Sequence, residues 1–201
     1  MIMIDSGISN IHHQALHNLV VKLKPRLALE VGMANGLSTR AILSGIGDGN
    51  LISIDPYQST DWHSEGIRAI AEFSSKHQLI ELPDYLALPQ LVAANTRIDF
   101  AYIDGWHTFD YTLLDFFYID RMLNVGGTVG FNDCHMAAVN KVLGFIKTHR
   151  DYIELPILKP SYNARNLTIS VLRRLLDRQT QDRYFKKVTD SEPKWNFFEA
   201  F

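Results

Sequence analysis

The stretch Leu27-Ala-Leu-Glu-Val-Gly-Met-Ala-Asn-Gly-Leu-Ser-Thr39 decides how the chain is read. A short apolar run carries an acid, Glu30, and is followed by two glycines, Gly32 and Gly36. A Ser-Thr pair then opens an amphipathic segment. The pattern is that of a strand, a tight turn and a helix start. Gly32 permits a backbone that other residues avoid, and Gly36 lets a ligand come close to the main chain. The helix beginning near Leu37 aims free N–H groups and a partial positive charge at the turn, a seat for a carboxylate or phosphate.

Outward from this turn, strands alternate with helices. A first helix is expected from Ser9 or Asn10, with Ile11, Ala15, Leu19 and Leu23 at helical spacing and Pro25 as its stop. Strands are expected at 26–31, 51–55, 78–82, 99–104 and 128–132. Helices are expected at 37–46, 65–76, 84–94, from Thr108 to 122 (Tyr111, Leu114, Tyr118 and Met122 on one side) and 137–149. Segments 152–158 and 167–172 read as two further strands joined by a turn, without a helix between them. Such alternation specifies an α/β fold with a doubly wound, mostly parallel sheet and one antiparallel edge strand.

At 201 residues the expectation is one domain, 1–201: an N-terminal helix or lid over 1–24, a core over 25–175 and a tail over 176–201. Twenty basic residues against 22 acidic ones give no global field for nucleic acid or an anionic membrane. Lys186-Lys187 and Arg173-Arg174 are short and scattered, so nucleic acid is not an expected partner. One cysteine, Cys134, excludes an intramolecular disulfide and suits a reducing compartment. With no basic N-terminal region and no apolar run near the ~20 residues of a membrane span, a cytoplasmic location is expected. The aromatic terminus with Trp195, Phe197, Phe198 and Phe201 is expected to pack on the body or on a second copy in a homodimer.

Open sheets of this kind bind ligands at the carboxyl ends of their strands, where the strand order reverses. The polar residues at those ends are Glu30, Asp55, Asp84, Asp104, Asn132 and Asp133. Asp55 ends the second strand 25 residues after Glu30, where an acid can accept both hydroxyls of a nucleoside ribose or simply cap the turn before Pro56. A dinucleotide site calls for G-x-G-x-x-G. This chain has Glu-x-Gly-x-x-x-Gly, whose acid repels a pyrophosphate but suits an ammonium or sulfonium centre.

The block Glu30-Val-Gly-Met-Ala-Asn-Gly-Leu-Ser38 resembles the first motif of class I S-adenosylmethionine-dependent methyltransferases. Ile54-Asp-Pro-Tyr-Gln58, Tyr102-Ile-Asp-Gly-Trp-His-Thr108 and Gly126-Gly-Thr-Val-Gly-Phe-Asn-Asp133 resemble the small O-methyltransferase-like group that includes macrocin and related sugar O-methyltransferases. The resemblance spans about residues 20–150 and implies a Rossmann-like methyltransferase sheet of seven strands, order 3-2-1-4-5-7-6. It implies that Glu30, Gly32, Met33 and Gly36 hold the methionine part of S-adenosylmethionine with Ser38 nearby. Asp55 then binds the ribose, and Leu82, Pro83 and Asp84 border the adenine. Asp84 serves equally as a helix cap, and Asp104 borders the cofactor as well.

Methyl transfer to a hydroxyl needs an aligned acceptor and a base, or a metal that lowers the hydroxyl pKa. Asp104 and Asp133 end strands about 4.8 Å apart. With Asn132 they are candidate ligands for one hard cation such as Mg²⁺, although Asn132 stands where the sugar-modifying relatives carry a second acid. His107, three residues after Asp104, is the candidate base, and His135 is a second. Cys134 reads as a spectator thiol. His12, His13 and His17 read as a solvated helix face, without an acid or cysteine to complete a metal set.

The leading expectation is therefore an S-adenosylmethionine-dependent O-methyltransferase acting on a small-molecule acceptor. Two alternatives belong to other classes. One is an oxidoreductase, either nicotinamide-dependent, which the missing third glycine opposes, or resembling the cephalosporin hydroxylase-like proteins. The other is a non-catalytic S-adenosylmethionine-binding protein, which Asn132 keeps open.

Overall fold

The structure, a computed structural model, describes residues 7–156 and 182–201. Helix α1 (Gly7–Leu23) leads into β1 (Leu27–Val31), α2 (Leu37–Gly45) and β2 (Asn50–Ile54). Next come α3 (Glu65–Ala69), a 3-10 helix over Ala71–Lys76, β3 (His77–Ile80) and α4 (Asp84–Ala93). The chain continues through β4 (Ile98–Ile103), α5 (Phe109–Met122), β5 (Leu123–Phe131), α6 (Ala137–His149), β6 (Tyr152–Glu154) and β7 (Arg183–Lys187). These strands form one sheet of order β3-β2-β1-β4-β5-β7-β6, in which β7 runs antiparallel to both of its neighbours. The expected strand order is the observed one, but the antiparallel strand lies second from the edge rather than at it, with β6 outermost.

Period-two alternation along the strands divides the core into two layers. Leu29, Val31, Ile52, Ile54, Ala101 and Ile103 face one side, packed with Leu88 of α4, Phe116 and Ile119 of α5, and Val142 and Ile146 of α6. Ala28, Leu51, Phe100 and Tyr102 face the other, packed with Leu16 and Val20 of α1 and Ile42 of α2. Glu30 and Ser53 share the parity of this second set, which carries them toward α2.

Several local expectations shift. α1 begins at Gly7, so Ser9 and Asn10 fall inside it, and its fully buried positions are Leu16 and Val20 rather than the flanking Ala15, Leu19 and Leu23. On α5 the buried residues are Thr112, Asp115, Phe116, Ile119, Asp120 and Met122, with Tyr111, Leu114 and Tyr118 only half-buried. Thr108 has the extended backbone of a cap, but its hydroxyl makes no capping bond. β5 begins at Leu123 rather than at the expected Thr128, so Gly126 and Gly127 lie inside it, beside a register irregularity opposite Ile98 and Phe100.

The largest correction concerns the far edge. The strand expected at 152–158 is only Tyr152–Glu154, and the expected 167–172 strand lies outside the described residues. The strand between β5 and β6 is Arg183–Lys187, within the stretch expected to be tail. Three of its five residues are basic, which conceals it in sequence. Lys187 is buried because its ammonium meets Asp190 at 2.6 Å and Asp120 at 3.3 Å, the pairing a buried cation requires. The terminal aromatics do return to the body: Phe201 stacks on Phe109 and meets Phe145 and His149 edge-on. Trp195 stays almost wholly exposed.

Candidate active site

The turn after β1 is built on a buried acid. Glu30 has no exposed surface, and its two oxygens are taken by three hydroxyls: Ser38 donates to Oε1 at 2.7 Å, Thr39 and Ser53 to Oε2 at 2.7 and 2.8 Å. Burial pushes its pKa up to about 7, against the pull of those hydrogen bonds. Ser53 also meets His77 Nε2 at 3.0 Å, extending the chain of polar groups toward β3. Glu30 thus lies beneath the turn, and Ser38 is engaged in holding it there.

Above it, Asp55 ties the turn to β2. Its Oδ2 accepts the backbone N–H of Met33 (3.1 Å) and Ala34 (2.7 Å) and the Gln58 amide (3.1 Å), while Oδ1 accepts the N–H of Tyr57 (2.8 Å). The close approach that the glycines permit is real. A Cβ on Gly32, whose φ is +88°, would lie 2.1 Å from the Asp104 carbonyl oxygen. One on Gly36, at φ +81°, would lie 2.8 Å from the Gly66 carbonyl oxygen. Met33 turns inward to the core.

The carboxyl ends of β1, β2 and β4 enclose a cavity of about 270 Å³. Val31, Gly32, Asp55, Asp104 and Gly105 form its inner wall. Pro83, Asp84 and an aromatic set, Tyr57, Trp62, Tyr85, Trp106 and Tyr111, line it as well, with Ala34, Ile54 and Pro56. Trp106 stacks on Tyr111 at 5.9 Å between centroids, and Tyr85 meets Tyr111 edge-on at 6.2 Å. Of the residues expected to contact the cofactor, Gly32, Asp55, Pro83, Asp84 and Asp104 line this cavity, whereas Glu30, Met33, Gly36 and Ser38 support it from behind.

Beside the cavity, the ends of β4 and β5 gather the expected chemical groups. Asn132 donates its amide N–H to Asp104 Oδ1 at 2.7 Å. His107 Nε2 lies between two carboxylates, 3.4 Å from Asp104 Oδ1 and 3.5 Å from Asp133 Oδ2. Contact with Asp104 raises the His107 pKa above 6.5; burial opposes the rise, and the charges of Asp104 and Asp133 add to it. His135 Nδ1 lies 3.6 Å from Asp133 Oδ1 on the exposed side. Asp133 is held at φ +49°, a backbone that a non-glycine residue adopts at some cost.

These donors do not fit the expected Mg²⁺. A hard cation needs several oxygens converging on one point. Here the Asn132 amide donates a hydrogen bond to Asp104, and an imidazole stands between the two carboxylates. Among the described residues, no group of three or more His, Cys, Asp or Glu side chains is arranged to hold a metal ion.

Two neighbouring groups escape a reading of the sequence. Asp182, just before β7, is buried and accepts hydrogen bonds from Tyr102 and Tyr184, each at 3.1 Å. Burial pushes its pKa up to about 7, opposed by those two bonds and reinforced by the Asp104 and Asp133 charges. His12 and His13 of α1 are half-buried rather than solvated. Burial lowers both pKa values, while Asp133 acts on His12 and Asp104 on His13 in the opposite sense. His17 instead meets Ser44 of α2 at 2.9 Å. Cys134 is buried with its thiol pushed up to about 12 by burial, which makes it inert.

Residues 29–134 match the family model described as a methyltransferase domain. The chain belongs to this methyltransferase family. Every residue that lines the cavity falls inside the matched stretch. No protein of curated function matches the chain in sequence. Among solved structures, the methyltransferase is similar to cofactor-bound Rv0187 from MTB, with 14% identity and a TM-score of 0.68 over 94% of this chain and 83% of that one. It is also similar to the O-methyltransferase TomG from Streptomyces achromogenes, solved with S-adenosylmethionine, with 16% identity and a TM-score of 0.66 over 89% and 79% of the two chains. A third is the O-methyltransferase from Bacillus cereus in complex with S-adenosylhomocysteine, with 12% identity and a TM-score of 0.69 over 89% and 80%. At these identities the likeness is one of fold.

The aromatic wall of the methyltransferase cavity was only partly legible. Trp62 and Trp106 sit on loops and stand out in the sequence. Tyr111 sits at a helical spacing that mimics a core position, and Tyr85 follows Asp84 on a helix of little amphipathic contrast. No signal in the sequence separates these tyrosines from packing residues.

Proposed function

We propose that this methyltransferase transfers a methyl group from S-adenosylmethionine to a hydroxyl of a small-molecule acceptor. The observation that carries the proposal is the cavity at the ends of β1, β2 and β4, which lies wholly within the family match. Its features suit an adenosyl ligand. The bare backbone at Gly32 leaves room that a Cβ would fill, the Gln58 Oε1 beside the turn is buried with no hydrogen-bond partner among the described residues, and the aromatic set offers faces for a purine. Asp55 and Gly32 would hold the ribose and methionine parts, and Asp84 with Tyr85, Trp106 and Tyr111 would hold the base. Glu30 acts from beneath: in its ionised form it places negative charge under the turn, on the side where a sulfonium and an ammonium would be stabilised.

When bound, the cofactor supplies an electrophilic methyl group on a sulfonium centre. Transfer of that methyl group would break its bond to sulfur and release neutral S-adenosylhomocysteine, and His107 would accept the proton that the acceptor hydroxyl loses. Asp104 and Asp133 stabilise the imidazolium that results, which is why their placement about Nε2 matters more than their individual distances. His12, His13 and Asp182 border the same edge and would shape the acceptor side. The near balance of 20 basic and 22 acidic residues favours a small molecule over nucleic acid as acceptor.

The test is thermal denaturation with S-adenosylhomocysteine and with NAD. Saturable stabilisation by the former alone is expected. A melting curve unmoved by S-adenosylhomocysteine at millimolar concentration would sink the proposal.

A further inference from the structure

Asp115 is fully buried on α5, and no donor among the described residues reaches either of its oxygens. An ionised carboxylate without donors cannot be sustained in such a place. Burial, and then the neighbouring Asp84 charge, hold the Asp115 carboxyl well above the usual carboxylate range. A neutral carboxyl still has one O–H to place. The group that Asp115 meets is the Asp84 side chain of α4, whose Oδ1 already accepts the Tyr85 N–H at 2.7 Å. Asp84 lines the cavity, whereas Asp115 does not.

Asp115 also backs a second wall. A Cβ on Gly105 would lie 3.8 Å from Asp115 Oδ2, so the carboxyl sits directly behind the bend formed by Asp104, Gly105 and Trp106. One helical turn earlier, Thr112 donates to the Trp106 carbonyl at 3.3 Å. One buried face of α5 therefore braces both sides of the part of the cavity that carries Asp84, Trp106 and Tyr111.

We infer that Asp115 is a positioning residue for recognition of the cofactor base: its O–H hydrogen-bonds Asp84 and orients the remaining acceptor of that carboxylate toward the exocyclic amino group of adenine. The inference rests on the S-adenosylmethionine reading above. It assigns the discrimination between a 6-amino and a 6-oxo purine to a pair of acids of which only one touches the ligand. A carboxylate held as an acceptor bonds an amino group and repels a carbonyl oxygen. A hydrophobic pocket would make no such distinction.

The experiment measures dissociation constants of S-adenosylhomocysteine and of its 6-oxo analogue, S-inosylhomocysteine, for the full chain and for two variants. The wild-type chain should prefer the adenine compound by about tenfold or more, the scale of one unmatched buried polar contact. Asp115→Asn, which keeps an N–H to donate to Asp84, should retain that preference. Asp115→Ala should reduce it to within about threefold. A purely structural role would lower the melting temperature of Asp115→Ala and leave the preference untouched, and that result overturns the inference. Should Asp115→Ala fail to fold, infrared difference spectra of the wild-type chain decide. A protonated-carboxyl band that is absent in Asp115→Asn and shifts on binding S-adenosylhomocysteine supports the inference, and a band that does not move refutes it. Wild-type protein that binds neither compound overturns the cofactor reading itself. Binding of both with equal affinity overturns only the role given to the acid pair.

Discussion

Replacing Glu30 by glutamine isolates the electrostatic cost of building the glycine turn on an acid. In the folded chain the Glu30 pKa stands at about 7, against 4.5 for the unperturbed group. The folded state thus holds this proton more tightly than the unfolded state does. The stability linked to it is fully present below about pH 4.5 and is lost as pH rises through about 7. At about 1.4 kcal/mol per pH unit, the difference amounts to about 3 kcal/mol between acid and weakly alkaline solution. Asp182, also pushed up to about 7, adds a dependence of the same sign, so the wild-type curve alone cannot assign it. The assay is urea denaturation of the wild type and Glu30→Gln at a series of pH values between about 4.5 and 8.5. Glutamine is nearly isosteric and cannot ionise, and the hydroxyls of Ser38, Thr39 and Ser53 can rotate to accept its N–H bonds. The wild-type stability minus that of the variant should fall by about 3 kcal/mol across the series. A difference constant to within about 0.5 kcal/mol would show that the three hydroxyls keep Glu30 ionised at no cost.

Four further outcomes are expected. Gly32→Ala should abolish binding of S-adenosylhomocysteine and lower the melting temperature, because the added Cβ meets the Asp104 carbonyl at 2.1 Å on a backbone of φ +88°; retained binding by calorimetry would show that the turn is more compliant. Asp55→Ala orphans the N–H groups of Met33, Ala34 and Tyr57, at about 1–3 kcal/mol for each that water cannot reach, and chemical denaturation should show a loss of several kcal/mol. His107→Ala should reduce kcat by about 10²–10⁴. The wild-type rate should fall as pH drops below the raised His107 pKa, since the base must be unprotonated, and a variant lacking His107 should lose that limb in a pH–rate profile. At the other end of the sheet, the bidentate Arg183 pair and then Lys147 hold the Glu154 carboxyl down to about 2. Its contribution has the opposite sign, present above about 4.5 and lost as pH falls toward about 2. Arg183→Met should therefore flatten the acid limb of stability followed by circular dichroism.

The first five strands and the order of the helices between them were legible because parallel strands buried on both faces are continuous apolar runs, and glycines and prolines punctuate them. Boundaries moved by a residue or two, except at β5, which begins at Leu123, five residues before the expected start. Helical faces were less legible. On α5 the fully buried set includes Asp115, which an apolar-stripe rule assigns to solvent. α1 buries Leu16 and Val20, and the chosen stripe ran one position to the side. The terminal strand was invisible for an electrostatic reason: Lys187 reads as exposed until Asp120 and Asp190 are found beside it.

For the site, local chemistry in the sequence determined which residues would crowd the carboxyl edge of the sheet, since Gly32, Asp55, Asp84 and Asp104 each lie at a strand end or helix start and His107 lies in the short loop after β4. It could not determine which way those side chains turn. Glu30 belongs to the motif yet faces away from the cavity, because strand parity directs it to the hydroxyls of α2 and β2. Asn132 and His107 occupy the space between Asp104 and Asp133 that a cation was expected to fill. Only the tertiary structure could bring His12, Asp115 and Asp182 to this edge. They arrive on elements whose approach is set by packing against the sheet, and no spacing along the chain encodes that meeting.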